Sequence, residues 1–232
     1  MSNQVVQLKQ IGNVTLSKNR RSKNIKISVK PDKSVLVSYP FYVSSNEVLA
    51  FLLKNELWIR NQQQKMELRK TRIEPNTELK TKLHTVKFIS GNENRSFKKG
   101  PELTLVVRDF DSQEGQDFIE HYLTEIYRIE AKRLLPARLA TLAQRNGFKF
   151  NRVTIRNNRR NWGSCSSQNN ISLNLQMMKL PVELIDYILL HELVHTEIKN
   201  HGPKFWDRLN GITANKAREL SGQVRQYSTY TL

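Results

Sequence analysis

The sequence holds an H-E-x-x-H arrangement, His191, Glu192 and His195, with a further histidine, His201, six residues on. On an α-helix a four-residue step turns about 40° and rises about 6 Å, so His191 and His195 project from one face and can reach a single ion. Glu192 then lies beside that ion without binding it, the place for a general base acting on a metal-activated water. His201 would face about 240° away if the helix continued. Asn200, Gly202 and Pro203 predict that it does not. Asn and Gly tolerate the left-handed conformation that ends helices, and Pro203 cannot extend one, so the chain folds back and delivers a third imidazole. Three protein ligands with one open position are the arrangement of a catalytic zinc site, and imidazoles favour Zn2+ over magnesium or calcium. Cys165 is the only cysteine, which excludes an intrachain disulfide and a thiolate cluster. His84 and His121 have no partner at ligand spacing and read as structural or surface histidines.

The elements that must position these residues are legible around them. Pro181 suits the first turn of a helix, and Leu184, Ile185, Ile188 and Leu189 continue at helical spacing toward a buried side. Upstream, residues 153–156 and 171–175 alternate as short strands joined by a polar loop that contains Trp162, Gly163 and Cys165. Gly163 permits a tight bend or a close backbone approach. The strand at 171–175 reads as an edge beside the cleft, to which a peptide can add by main-chain hydrogen bonds. Trp162 and Cys165 read as packing residues, and Phe205 and Trp206 as the pair that seats the turn after His201. From Asp117 to Gly147, apolar residues recur at helical spacing in a long amphipathic helix, which Pro136 should kink or divide.

The first part of the chain has a different texture. Ile25, Ile27 and Val29 alternate against Val35, Val37 and Tyr39 as a hairpin turned by Pro31 and Asp32. Ser44 and Glu47 form a capping-box pair that opens a helix predicted over about 45–68. Two more short strands are expected near 86–89 and 103–107. The predicted fold class is therefore α+β, with a small basic β-rich module with one helix over 1–110 and a metal-binding catalytic domain over 111–232.

The formal charge of +17 points toward a polyanionic partner, nucleic acid or a nucleotide. Residues 1–150 hold 27 Lys and Arg against 15 Asp and Glu, whereas 151–232 hold 11 against 6. Arg20, Arg21, Lys23, Lys26 and Lys30 crowd the predicted hairpin, where they also guard an edge strand against pairing. No run of about 18 apolar residues is present, and the amino terminus lacks a signal-peptide pattern, so the chain is expected in the cytoplasm with no membrane partner.

The segments NWGSCS (161–166), ISLNL (171–175), Pro181, IDYILLHELVH (185–195) and NHGPKFW (200–206) resemble the YgjP-like metallopeptidase domain, a relative of the SprT-like zincins. The similarity extends loosely to RRSKNIKISVKPD (20–32) and to the helix containing Trp58. The resemblance implies a zincin-like domain in which His191, His195 and His201 bind zinc and Glu192 is the catalytic acid and base. The third ligand lies nearer than in metzincins, so that subclass is not implied.

The expected activity is hydrolysis of a protein or peptide, with Glu192 taking a proton from the metal-activated water and returning it to the leaving amine. Arg156, Arg159, Arg160, Asn174 and Tyr187 are the expected substrate-binding residues, and the three arginines and Tyr187 are candidates for the oxyanion donor. A nucleotide phosphohydrolase of the nucleoside triphosphate pyrophosphatase type is the alternative, with Arg159, Arg160 or Lys204 holding phosphates. A nucleic-acid-binding module with a structural zinc is a third, but such a site has no use for Glu192.

Overall fold

The computed structural model describes residues 3–30, 33–68 and 73–231. By compactness the chain divides into Met1–Thr71 and Arg72–Leu232, earlier than the division expected after residue 110.

The first unit is a four-stranded sheet with two helices. Strands β1 (Asn3–Leu8), β2 (Gly12–Lys18), β3 (Lys26–Val29) and β4 (Val35–Tyr39) lie in the order β1-β2-β4-β3, with β2 and β4 parallel. Alternation sends Val14, Leu16, Val35, Val37 and Tyr39 into one core with Val48, Leu52 and Ile59 of the helices. The β3–β4 pair is the expected hairpin, closed where the Lys30 N–H donates to the Ser34 carbonyl. Its predicted turn residues Pro31 and Asp32 lie outside the described residues. The Ser44–Glu47 capping box opens α1 (Ser45–Lys54) as the sequence predicts. The single helix expected over 45–68 is instead two, because the chain breaks at Asn55. There the backbone turns to φ −103° and ψ 12°, the N–H donates to both the Phe51 and Leu52 carbonyls, and the side-chain amide also donates to the Phe51 carbonyl, capping α1 before α2 (Glu56–Leu68) begins.

The second unit opens with β5 (Thr77–Lys80), β6 (Thr85–Ser90), β7 (Arg95–Lys99) and β8 (Glu102–Val107), in the order β5-β6-β8-β7. This repeats the strand order of the first sheet, although the sequence shows no repeat. Strand β7, missed in the sequence, is an edge strand reading RSFKK, with no apolar alternation to reveal it. Val86, Phe88, Leu103, Leu105 and Val107 share a core with Ile119, Leu123 and Ile126 of α3 (Gln113–Asn146). That shared burial draws the second sheet into the larger unit. Helix α3 runs through Pro136 undivided and ends at Gly147, whose φ of 76° is the left-handed cap. Burial of Ala131, Leu135 and Leu139 around the proline outweighs the one backbone bond it removes.

Two polar ties, one fully buried and one partly exposed, hold this unit together. Glu130 of α3 is fully buried and accepts hydrogen bonds from the Lys82 and Leu83 N–H groups, the Thr81 hydroxyl and the His84 ring. His84 is thus a structural histidine. Arg138 of α3 forms a two-pronged bond to Asp186, at 2.7 and 2.5 Å, on the helix that carries the H-E-x-x-H residues. A three-stranded sheet lies beside that helix, formed by β9 (Arg152–Arg156), β10 (Gly163–Cys165) and β11 (Asn170–Asn174) in the order β10-β11-β9. After a 3-10 turn at Leu175–Lys179 come α4 (Val182–Glu197), α5 (Pro203–Ile212) and α6 (Ala217–Val224).

Candidate metal centre

Helix α4 carries His191, Glu192 and His195 in its last two turns. Pro181 stands one residue before the helix as its N-cap, and Leu184, Ile188, Leu189 and Leu193 are buried in the core. The helix stops at Glu197. Ile198 is extended, with φ −124° and ψ 104°, and so is Gly202, with φ −73° and ψ −177°. Neither Asn200 nor Gly202 is left-handed. The chain therefore folds back by extended backbone, and Pro203 opens α5 at its first turn, where its missing N–H costs nothing.

This turn brings His201 to the other two histidines. Its Nε2 lies 3.0 Å from His191 Nε2 and 3.1 Å from His195 Nε2. Two nitrogens about 2.0–2.1 Å from one tetrahedral ion are about 3.3 Å apart, so the three fit zinc with little adjustment. His195 Nδ1 donates to the Ile198 carbonyl at 3.0 Å, which fixes the tautomer with Nε2 free to bind metal. Burial, with His195 and His201 close by, pulls the His191 imidazole down to about 3, and burial also lowers His195. Neutral imidazoles are the form a metal takes.

Two neighbours hold the cluster. Phe205, fully buried, has its ring 4.9, 4.5 and 4.7 Å from those of His191, His195 and His201. Trp206 donates its indole N–H to the His201 carbonyl, and Arg218 stacks on the indole at 3.5 Å. The packing of Phe205 and Trp206 was foreseeable from sequence, whereas Arg218 carries no local pattern.

Glu192 is buried, and burial pushes its carboxyl up to about 8. Its Oε2 is buried without a hydrogen-bond partner among the described residues. A carboxylate left so is costly unless a cation or a polar ligand stands against it. Above it runs β10. A Cβ on Gly163 would lie 2.7 Å from both Cγ and Oε1 of Glu192. Of the two readings of this glycine, close approach is the one observed.

Strand β10 is the edge of its sheet, and β11, expected from sequence to be that edge, lies between β10 and β9. The reason is the loop between β9 and β10, which returns the chain along the outer side of β11 by antiparallel pairing. Asn174 N–H donates to the Trp162 carbonyl and Ser166 N–H to that of Asn170. By the alternation of antiparallel pairs, the main-chain groups of Gly163 and Cys165 then point to the open edge. The Asn161 amide covers the Gly163 carbonyl.

The remaining expected substrate contacts are dispersed. Asn174 is buried, its amide donating to the Asn158 and Asn161 carbonyls while its oxygen accepts from Gln176 N–H. It shapes the loop that leads into β10. Arg159 lies over the Tyr230 ring, and its carbonyl accepts from the Thr229 hydroxyl. Arg156 and Arg160 are exposed. Tyr187 is buried one turn before His191, rings 6.1 Å apart, with its phenol raised by burial. Cys165 is half-buried, and burial pushes its thiol up, which removes the thiolate a nucleophile needs.

The profile of the family described as YgjP-like, metallopeptidase domain matches residues 23–225. The chain belongs to that family. It is accordingly a metallohydrolase. Two solved structures are similar over part of its length. The metallopeptidase zymogen of Pyrococcus abyssi abylysin is 22% identical over 40% of this chain and 93% of that chain, with a TM-score of 0.37. The metallopeptidase zymogen of Methanocaldococcus jannaschii jannalysin is 26% identical over 40% and 94%, with a TM-score of 0.36. No curated protein matches the chain. Among the described residues no helix is long and apolar enough to cross a membrane.

The metallohydrolase fastens its carboxyl-terminal segment against α3 and the 3-10 turn after β11. Thr231 bonds to Thr124 and to the buried Gln176, and Lys179 donates to the Tyr230 carbonyl. Burial lowers the Lys179 ammonium to about 8. Its folded value lies below its ordinary 10.5, so the unfolded chain holds the extra proton between those limits, and this group makes stability rise with pH from about 8 to 10.5. Thermal melts of Lys179→Met across that window should show a flatter pH dependence than the native chain. An unchanged slope would mean that Lys179 is not desolvated.

Proposed function

We propose that this metallohydrolase is a zinc-dependent peptidase of zincin type that cleaves unfolded polypeptide. In this reading His191, His195 and His201 hold the ion and Glu192 is the general base and acid. The observation that carries it is the convergence of three imidazole Nε2 atoms, all within 4.8 Å of one another, beside a buried carboxylate. Zinc bound there supplies a Lewis acid and lowers the pKa of water toward about 7.

The chain's own residues do the rest. Glu192 accepts the proton of the attacking water and passes it to the departing amine, its burial raising its affinity for that proton. The outward Gly163 N–H and the outward main-chain groups of Cys165 take an extended substrate as an added strand, which would set the scissile carbonyl beside the three histidines. Tyr187 supports the developing oxyanion. It is the one expected donor whose ring stands beside a cluster imidazole, and its raised phenol stays protonated at neutral pH.

The test is metal content followed by cleavage of an unfolded protein such as reduced casein. About one zinc per chain, and cleavage abolished by a chelator and restored by added zinc, are the expected results. Cleavage that persists after complete zinc removal would sink the reading.

A further inference from the structure

The amino-terminal unit carries a feature for which peptide hydrolysis has no use. Met1–Thr71 contains 13 Lys and Arg against 4 Asp and Glu, a net +9 of the chain's +17. Much of that excess gathers at one end of its sheet. Strand register sets Lys18 beside Tyr39 and Lys26 beside Ser38, so the segment joining β2 to β3 and the segment after β4 emerge together. They are tied there by Asn19 N–H to the Tyr39 carbonyl, Ser22 to Ser38 through their hydroxyls, and the Tyr42 hydroxyl to the Lys23 carbonyl. Lys18, Arg20, Arg21, Lys23 and Lys26 are all exposed at this end. At the same end are Phe41 and Tyr42, 65% and 67% exposed, with ring centroids 5.6 Å apart and planes at 80°. Glu47, the acid nearest in sequence to Phe41 and Tyr42, is engaged with Ser44 in the capping box.

Cations that have no carboxylate partner among the described residues attract a polyanion, and two adjacent exposed rings offer it flat faces to stack on. We propose that this end of the amino-terminal sheet binds single-stranded nucleic acid, with Phe41 and Tyr42 stacking on bases and Arg20, Arg21 and Lys23 contacting phosphates. A duplex offers its bases already stacked on one another, so the rings would gain nothing from it, whereas a single strand presents free base faces. An anionic membrane would also meet the charge. Insertion into lipid, however, rests on buried apolar area, and this tip offers two rings without an exposed aliphatic side chain, Val43 being half-buried.

The test uses the full chain and fluorescence anisotropy with an oligothymidylate of about 20 nucleotides, a length that covers at least one typical site. A duplex of the same length and anionic phosphatidylserine vesicles are run beside it. The single strand should bind more tightly than the duplex. Joint Phe41→Ala and Tyr42→Ala should weaken it about tenfold or more with little change in salt dependence. Joint Arg20→Ser, Arg21→Ser and Lys23→Ser should lower the slope of log K against log salt by about 2. Thermal melts and zinc content check that both variants fold. Any of three results would overturn the proposal. These are equal affinity for duplex, indifference to loss of both rings, and vesicle binding without oligonucleotide binding.

Discussion

Replacing Glu192 with Gln should lower turnover of an unfolded protein by about 10²–10⁴-fold while the chain keeps its zinc, because the amide fills the same space but cannot take a proton. Glu192 is not one of the three imidazoles that would hold the metal, so that ligand set survives the change. A second readout separates loss of the base from damage to the fold. In protein stripped of metal, burial holds the Glu192 carboxyl at about 8, above its ordinary 4.5. The unfolded chain then gives up that proton first, and the stability present below about pH 4.5 is lost as pH rises through 8. Glutamine suffers no such loss. Metal-free Glu192→Gln should therefore melt above the metal-free native chain by a margin that widens between pH 4.5 and 8. Retained turnover in the variant would remove Glu192 from its assigned role, whatever the melts show.

The meeting of the three imidazoles was legible because it depends on local geometry that spacing fixes. His191 and His195 share a face of any helix, and α4 is apolar on nearly every side, as a buried helix must be. The return of His201 was also foreseen, but through left-handed Asn and Gly, whereas extended Ile198 and Gly202 make the turn. Both routes reverse the chain, and residue types alone do not distinguish them. Asn174 shows where sequence stops. Read as a substrate contact, it is spent on backbone carbonyls 13 and 16 residues away, a partnership that only the closed loop creates. The same holds for the edge of the sheet. Which of two short strands lies outermost is set by how the polar loop at 157–162 returns, and that loop is shaped by Asn174 and Thr229 across long separations. The second sheet joined the larger unit for a comparable reason. Its alternating residues announce a buried face but not what covers it, and the cover is α3.

Gly163→Ala should lower kcat about 100-fold, with zinc content unchanged, because the added methyl would stand 2.7 Å from the Glu192 side chain. Something must then move. Helix α4 is held by the Arg138–Asp186 bond and by Leu189 and Leu193 in the core, and β10 by its register with β11. The carboxylate itself is what yields, and a displacement of about 1 Å at a catalytic group costs about 10²-fold. Gly222→Ala in α6, where a new Cβ meets nothing within 4 Å, should leave kcat unaltered and controls for loss of a glycine as such. The decisive comparison is the double variant. If Gly163 acts only by placing Glu192, adding Gly163→Ala to Glu192→Gln should cost almost nothing further, since the base it positions is already gone. Losses that simply multiply would instead show that the strand edge acts on the substrate independently of the carboxylate beneath it.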